Sequence, residues 1–240
     1  MKLALFGQNI AYSLSLLLHT FWMRQHALKG TYTLIDGELE QIRPALETYD
    51  GLNVTKPHKE GVMSSVDVLT ALAQEIGAVN TIYRSEGKLV GDNTDYLALR
   101  EVLLAYPQAK KAMVLGNGGA AKAAIVALKH LAIETTVYSK NQGWENRHHY
   151  LEDVNVIINA TPLGWQGQGS PLTVLPTHPS LIIDMVYQPL ETPLLKMARI
   201  SDHSKKDGLE LLIRQGRHSF YRWWGILPDY KSAREFLTCR

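Results

Sequence analysis

The stretch AMVLGNGGAAKAAIVAL, residues 112–128, decides the fold of this chain. It begins with a short apolar run, turns through Gly116-Asn117-Gly118-Gly119-Ala120 and continues with the apolar periodicity of a helix. A buried strand, a glycine-rich turn and a helix form the context in which Gly-x-Gly-x-x-Ala serves as a dinucleotide-binding fingerprint. The stretch therefore predicts a Rossmann-like, doubly wound α/β domain, with an ordinary glycine-rich turn as the simpler alternative.

The small residues of this turn have separate roles. Gly116 permits a tight turn, Gly118 lets the backbone approach a pyrophosphate, and Ala121 lets the helix pack closely on the strand. The N-terminus of the helix then faces the anion. The predicted cofactor-binding residues of the turn are Gly116, Asn117, Gly118, Gly119 and Ala120.

The end of the second strand of this domain, predicted at residues 135–138, should carry the group that reads the adenine ribose. No acidic residue stands there, because the chain continues with Ser139-Lys140-Asn141. Lys140 and Ser139 are placed to meet a 2′-phosphate, which favours NADP over NAD. The alternative is that Lys140 is a solvated loop lysine.

The remaining chain also alternates strands with helices, which predicts an α/β protein with parallel or mixed sheets. We predict an N-terminal α/β domain over residues 1–96, completed by C-terminal helices over 208–240, and a nucleotide-binding domain over 97–207. Further strands are predicted at 3–6, 31–35, 52–54, 154–158 and 181–184, and a hairpin at 78–90. Helices are predicted at 15–28, 94–104, 208–224 and from 229.

Composition excludes several classes of protein. The chain has 240 residues with 25 Lys plus Arg against 23 Asp plus Glu, and this balance gives no support for nucleic-acid binding. Its single cysteine, Cys239, excludes an intrachain disulfide and a Cys-rich zinc site, and no metal is expected. Gly7-Gln8-Asn9 interrupts the apolar N-terminus, and no apolar run is long enough to span a membrane. We therefore expect a cytoplasmic protein without membrane contact.

Further short motifs occur in one order along nearly the whole chain. They are Ser13-Leu14-Ser15, Asn53-Val54-Thr55-Lys56-Pro57-His58-Lys59, Gly77-Ala78-Val79-Asn80-Thr81, Gly91-Asp92-Asn93-Thr94-Asp95, Asn159-Ala160-Thr161-Pro162-Leu163-Gly164, Tyr187-Gln188-Pro189, Gly208-Leu209-Glu210 and Gln215-Gly216. Together with the glycine-rich turn they resemble the shikimate dehydrogenase family. No single motif is decisive, but so many in sequence make an accidental resemblance very improbable.

The resemblance implies NADPH-dependent, reversible reduction of 3-dehydroshikimate to shikimate in aromatic amino acid biosynthesis. It implies that the N-terminal domain binds the substrate and that Lys59 and Asp95 form the catalytic pair. Other roles are implied motif by motif: Ser13 and Ser15 for the substrate carboxylate, Thr55, Asn80 and Gln215 for the ring hydroxyls, Tyr187 near the substrate, and Thr161 and Gly208 bordering the cofactor. The protein is expected to be a monomer or a homodimer.

These residue types suit a polyhydroxylated ring acid, which needs donors for its carboxylate and neutral hydrogen-bonding groups for its hydroxyls. Taken singly, each also has a simpler interpretation. Ser13 and Ser15 could cap a helix, Asn80 could sit in a turn and Gln215 could face solvent. Lys59 and Asp95 could be a surface lysine and a helix N-cap.

The chain also departs from the family pattern. Tyr96 replaces the glycine that usually follows the catalytic aspartate, and a ring there could narrow the place where the nicotinamide approaches. The segment after Lys140 is short, so the helix after the second strand of the nucleotide domain is expected to be truncated or absent. Gln8-Asn9, Tyr12 and Leu16 also differ from the usual residues of the serine loop. Two rival functions stay open, an NAD-dependent quinate/shikimate dehydrogenase and a non-catalytic metabolite-binding paralog.

Overall fold

The computed structural model describes residues 1–239, which form two compact units. The first unit contains Met1–Thr94 and the segment from Leu212 onward, and the second contains Asp95–Leu211. Each unit is built around its own sheet with helices packed against it. The predicted α/β class, with a second domain of doubly wound type, is confirmed.

The helices and strands have the following bounds in chain order. The first are β1 (Lys2–Gly7), α1 (Ser15–Gln25), β2 (Thr31–Asp36), α2 (Ile42–Thr48), β3 (Gly51–Val54), β4 (Val68–Leu69), α3 (Ala71–Ile76), β5 (Thr81–Ser85), β6 (Lys88–Asp92) and α4 (Thr94–Leu104). The others are β7 (Lys111–Leu115), α5 (Gly119–His130), β8 (Glu134–Tyr138), β9 (Val156–Asn159), β10 (Leu181–Asp184), α6 (Pro193–Ile200), β11 (Ser204–Lys206), α7 (Gly208–Trp224) and α8 (Tyr230–Thr238).

The first unit has a six-stranded mixed sheet in the order β2-β1-β3-β5-β6-β4. Strands β1, β2 and β3 are parallel, whereas β5 runs antiparallel to β3 and β6, with Thr81 opposite both Asn53 and Asp92. The segments after β1, β3 and β6 and the segment before β5 therefore leave the sheet at one edge. This register collects the predicted substrate residues of the N-terminal region at that edge.

Aromatic packing and an ion pair explain why the C-terminal segment belongs to the first unit. Phe220 on α7 packs edge-on against Trp22 on α1, with ring centroids 5.6 Å apart. Arg222 places Nη2 2.8 Å from Oδ2 of the buried Asp92 at the end of β6. Apolar burial and a charged hydrogen bond together hold α7 on this sheet.

The second unit has a five-stranded parallel sheet in the order β11-β10-β9-β7-β8. The chain first adds β8 on one side of β7 and then β9, β10 and β11 on the other. The topological switch point therefore lies between β7 and β9, where α/β sheets bind ligands at the carboxyl ends of their strands.

The connection from β8 to β9 contains no α-helix, as the sequence predicts. Two single 3₁₀ turns, Trp144–Asn146 and Leu151–Asp153, occupy this connection. The side chains of Trp144 and Leu151 pack on the core of the second unit. These two side chains shield from water the apolar surface that a full helix would cover in its place.

Several boundaries differ from the sequence prediction. Helix α1 ends at Gln25 rather than at residue 28, and Ala27 has a positive φ of 51°. Helices α2, α3 and α6 were not predicted, because each is too short to show sustained apolar periodicity. Across residues 1–239, no helix combines the length and apolar character needed to cross a membrane.

Candidate active site

The serines after β1 lie at the start of α1. Ser13 Oγ accepts a hydrogen bond from the backbone N–H of Ser15 at 3.3 Å, but the N-cap of α1 is Leu14 and no side chain caps this helix. The Ser13 oxygen is the acceptor in this bond, and its own proton can still be donated to a ligand. Ser15 instead turns its side chain inward and is buried.

Asn80 and Gln215 come together in the first unit, although 135 residues separate them. Asn80 is 2% exposed, and its Oδ1 accepts from the backbone N–H of Thr94 at 2.7 Å, which fixes the start of α4. Its Nδ2 lies 3.4 Å from Oε1 of Gln215, which is half-buried on α7. Asn80 does lie in a bend before β5, but its side chain is buried and bonded, and Gln215 is only partly turned to solvent.

A buried polar layer behind these residues was missed from the sequence. Tyr32 donates its phenolic proton to Asn53 Oδ1 at 2.8 Å, and Asn53 Nδ2 donates to the Asn80 carbonyl at 3.2 Å and to Ser219 Oγ at 2.9 Å. Burial raises the pKa of Tyr32 well above its ordinary value, and a side-chain hydrogen bond from Ser15 lowers it. The layer thus connects Ser15 with Asn80. The available sequence signal was Asn53 itself, a polar residue inside a buried strand.

The loop after β3 carries Thr55 and Lys59. The Thr55 backbone N–H donates to the Phe6 carbonyl at 2.9 Å, and the Lys59 carbonyl accepts from the Val79 backbone N–H at 2.7 Å. His58 Nε2 donates to the Gly37 carbonyl at 2.8 Å. Both Thr55 and Lys59 are half-buried, on a loop held by its backbone at several points.

Asp95 and Tyr96 begin α4 and have different surroundings. Asp95 is half-buried in the first turn. Tyr96 is 8% exposed, and its hydroxyl lies 2.9 Å from Nδ1 of His130, the last residue of α5. A 12-residue helix is roughly 18 Å long, which separates this contact from the glycine-rich turn at the other end of α5. The structure therefore gives Tyr96 a packing position against the C-terminal end of α5.

The glycine-rich turn combines one tightly packed glycine with one that borders open space. Gly116 has φ +117°, and a Cβ there would lie 2.9 Å from the Ala160 carbonyl oxygen. Gly118 is the N-cap of α5, and a Cβ built on it meets no atom within 4 Å. Asn117 is exposed, and Gly119 and Ala120 are half-buried in the first turn of the helix. The N-terminus of α5 therefore offers backbone donors beside open space.

Ser139 and Lys140, at the end of β8, differ in accessibility. Ser139 is 3% exposed, and its backbone N–H donates to the Gln142 carbonyl at 2.9 Å in a tight turn. Lys140 is exposed. Of the two, Lys140 is the better placed to meet a phosphate.

Thr161, Tyr187 and Gly208 also follow strands of the second sheet. The Thr161 backbone N–H and hydroxyl donate to Asn159 Oδ1 at 3.0 and 2.6 Å. Tyr187 packs edge-on against Trp165, with ring centroids 6.3 Å apart. A Cβ on Gly208 would collide with the Met185 carbonyl, so only glycine fits there. Cofactor-side candidates from four strands thus share the carboxyl edge of this sheet.

An open glycine-rich turn at the switch point of a parallel sheet, in a chain whose other α/β unit carries a polar cluster, is typical of two-domain dinucleotide-dependent oxidoreductases. The family model for the shikimate dehydrogenase substrate binding domain matches residues 5–82. The shikimate dehydrogenase (NADP(+)) of Maridesulfovibrio salexigens is 34% identical over 96% of this chain and 94% of its own length. The corresponding Rhodospirillum rubrum protein is 35% identical over 95% of this chain and 93% of its own. The chain belongs to the shikimate dehydrogenase family.

A solved structure agrees with this assignment. The shikimate 5-dehydrogenase of Thermus thermophilus, in complex with NADP(H) and shikimate, superimposes with a TM-score of 0.89 at 32% identity. The match covers 98% of each chain. The fold of a relative that binds both ligands is therefore present over almost the whole of this chain.

Proposed function

We propose that this protein is an NADP-dependent shikimate dehydrogenase, which reversibly reduces 3-dehydroshikimate to shikimate in aromatic amino acid biosynthesis. The observation that carries the proposal is 34% identity over 96% of the chain to an enzyme of that name. The open N-terminus of α5 fits the pyrophosphate of the cofactor, because a Cβ at Gly118 meets no atom within 4 Å.

The chemistry that NADPH supplies when bound is transfer of a hydride to the ketone carbon. The ketone oxygen then gains negative charge and needs a proton. The Lys59 ammonium stabilises this charge and donates the proton, which leaves a neutral amine that solvent reprotonates. Asp95 orients the ammonium and accepts a hydrogen bond from a substrate hydroxyl.

The other candidates of the first unit bind the ring acid. Ser13 donates to the carboxylate, and Ser15 joins it by turning its hydroxyl away from Tyr32. Thr55, Asn80 and Gln215 hydrogen-bond the ring hydroxyls, and Tyr187 of the second unit lies near the substrate. Because Asn80 and Gln215 are already connected at 3.4 Å, this part of the site is preorganised.

Cofactor binding belongs to residues 97–207 together with Gly208, and substrate binding to residues 1–96 with the C-terminal helices. Gly116 to Ala120 hold the pyrophosphate, Thr161 and Gly208 border the nicotinamide side, and Lys140 meets the 2′-phosphate with help from Ser139. We further propose that the enzyme works in the cytoplasm as a monomer or a homodimer.

Initial rates with shikimate and quinate against NADP and NAD test the proposal. We expect shikimate with NADP to give the highest kcat/KM of the four combinations. Turnover of quinate with NAD alone would identify a different dehydrogenase, and absence of turnover in all four would identify a binding protein. A charge reversal at Lys140, the proposed phosphate-binding residue, needs a control with the same change of charge. Lys231→Asp serves as that control, because Lys231 is exposed on α8 in the first unit.

A further inference from the structure

Asp184 is a buried carboxylate that the proposed chemistry does not use. It ends β10 with 0% exposure, opposite Asn159 on β9. Its Oδ1 accepts from Asn159 Nδ2 at 2.9 Å and from the Val186 backbone N–H at 3.0 Å, and its Oδ2 accepts from the Thr192 hydroxyl at 2.6 Å. Burial raises the pKa of Asp184 to about 6, while the hydrogen bonds from Thr192, Val186 and Asn159 lower it. Both carboxylate oxygens are thus satisfied by donors that converge from three segments of the chain.

One contact of Asp184 reaches the loop after β9. Asn159 Nδ2, besides donating to Asp184, donates to the Leu163 carbonyl at 3.0 Å, and Asn159 Oδ1 accepts both bonds from Thr161. These bonds define the course of residues 160–164. The same loop presses on the glycine-rich turn, since a Cβ at Gly116 would lie 2.9 Å from the Ala160 carbonyl oxygen.

A second contact of Asp184 reaches the turn after β10. The Val186 backbone N–H donates to the carboxylate, and the Met185 backbone N–H donates to the Asn159 carbonyl at 3.0 Å. This turn leads directly to Tyr187. Its Met185 carbonyl is also the group against which Gly208 packs.

We propose that Asp184 is a positioning residue for cofactor binding, which fixes the loop at residues 160–164 through Asn159 and the turn before Tyr187 through Val186. The inference rests on the proposed function, because it takes Thr161 and Gly208 as neighbours of the cofactor. A buried residue with only a packing role needs no charge, and a neutral apolar side chain would serve it better. A carboxylate can instead accept several bonds at once and so hold separate segments in one arrangement.

Equilibrium titration of NADPH, followed by protein fluorescence, tests this role together with steady-state kinetics. Asp184→Ala removes every acceptor, and we expect the Kd for NADPH to rise by roughly tenfold or more, with kcat at saturating cofactor within about threefold of the parent. Asp184→Asn should restore the Kd to within about threefold, because its carbonyl can still accept from Asn159 and Val186 while its NH₂ group faces the Thr192 hydroxyl. If Asp184 were needed only for its charge, Asp184→Asn would not restore the Kd for NADPH.

Thr192→Val is the matched control, because it removes the third contact of the carboxylate and the N-cap of α6 but keeps the side-chain carbons that lie beside Gly164 in the loop. We expect a lower melting temperature and a parental Kd for NADPH. Equal weakening by Thr192→Val and Asp184→Ala would overturn the inference, as would a parental Kd in Asp184→Ala.

A second variant keeps the inference testable where Asp184→Ala does not fold. Asn159→Ser breaks the connection to Thr161 and leaves Asp184 with its contacts to Val186 and Thr192. It should raise the Kd for NADPH, and an unchanged Kd overturns the inference. Because binding is measured apart from turnover, a parent that binds NADPH but does not oxidise shikimate refutes the proposed function alone. A parent that does not bind NADPH refutes both.

Discussion

Single alanine substitutions at Gly116 and Gly118 distinguish two effects. One is strain in the backbone of the turn, and the other is steric exclusion of the cofactor. At Gly116, φ is +117° and a Cβ would lie 2.9 Å from the Ala160 carbonyl oxygen. The unfavourable φ alone costs about 1–3 kcal/mol. Displacement of the carbonyl adds to this, so we expect Gly116→Ala to lower the free energy of unfolding by about 2–4 kcal/mol.

Gly118 has φ −76° and ψ −179°, which alanine adopts without strain, and a Cβ there meets no atom within 4 Å. Alanine is a poorer N-cap than glycine, but it also lowers the entropy of the unfolded chain by about 0.4–1 kcal/mol. These effects offset each other, and we expect stability to change by less than about 1 kcal/mol. The added methyl group, however, would occupy the space in which we propose that the pyrophosphate lies.

Thermal unfolding with and without NADPH measures both effects. For a chain of this size about 1 kcal/mol corresponds to roughly 2–4 °C, so Gly116→Ala should lower Tm by roughly 5–15 °C. NADPH at 100 times its Kd stabilises the parent by about 2.7 kcal/mol, and Gly118→Ala should lose most of that stabilisation while keeping its Tm without ligand. Gly118→Ala with the full NADPH-dependent shift would show that the pyrophosphate does not approach here. Parental stability of Gly116→Ala would refute the argument from its φ.

Lys59→Ala should lower kcat by roughly 10²-fold with a much smaller change in KM, since a proton donor acts mainly in the transition state; unchanged turnover would remove Lys59 from the mechanism. Lys140→Asp should weaken or reverse the preference for NADP. An exposed lysine–phosphate contact contributes about 1 kcal/mol, so its loss should change the ratio of kcat/KM for the two cofactors by several-fold; an undiminished preference would assign the phosphate to other groups. Tyr96→Phe should lower stability by about 1 kcal/mol and leave kcat/KM for shikimate and quinate unchanged, so altered preference would place the ring in the site. Arg222→Ala leaves Oδ2 of the buried Asp92 without its donor and should lower stability by about 1–3 kcal/mol in denaturant titration, whereas a parental midpoint would show that the pair contributes nothing.

Local patterns in the sequence were enough to predict most of the strands and longer helices. The alternation of apolar runs and glycines indicated the strand, turn and helix around Gly116, and apolar periodicity placed α4 and α7 at their observed bounds. The short segment after Lys140 indicated that the helix between β8 and β9 is truncated or absent. Local signals for α6 were also present, since Thr192 caps it and Pro193 opens it, but its eight residues gave too little periodicity.

The sequence alone therefore determined the α/β class, the glycine-rich turn and the family, because these depend on the order and spacing of neighbouring residues. The tertiary structure alone decided which polar groups meet. Asn53 and Ser219 are 166 residues apart yet 2.9 Å from each other, and Asp184 meets Asn159 because parallel strands place them in register. A buried polar group must find its partner wherever strand register and helix packing place one, and nothing in the local pattern specifies that partner. Tyr96 follows the same principle, since its partner is His130 at the C-terminal end of α5.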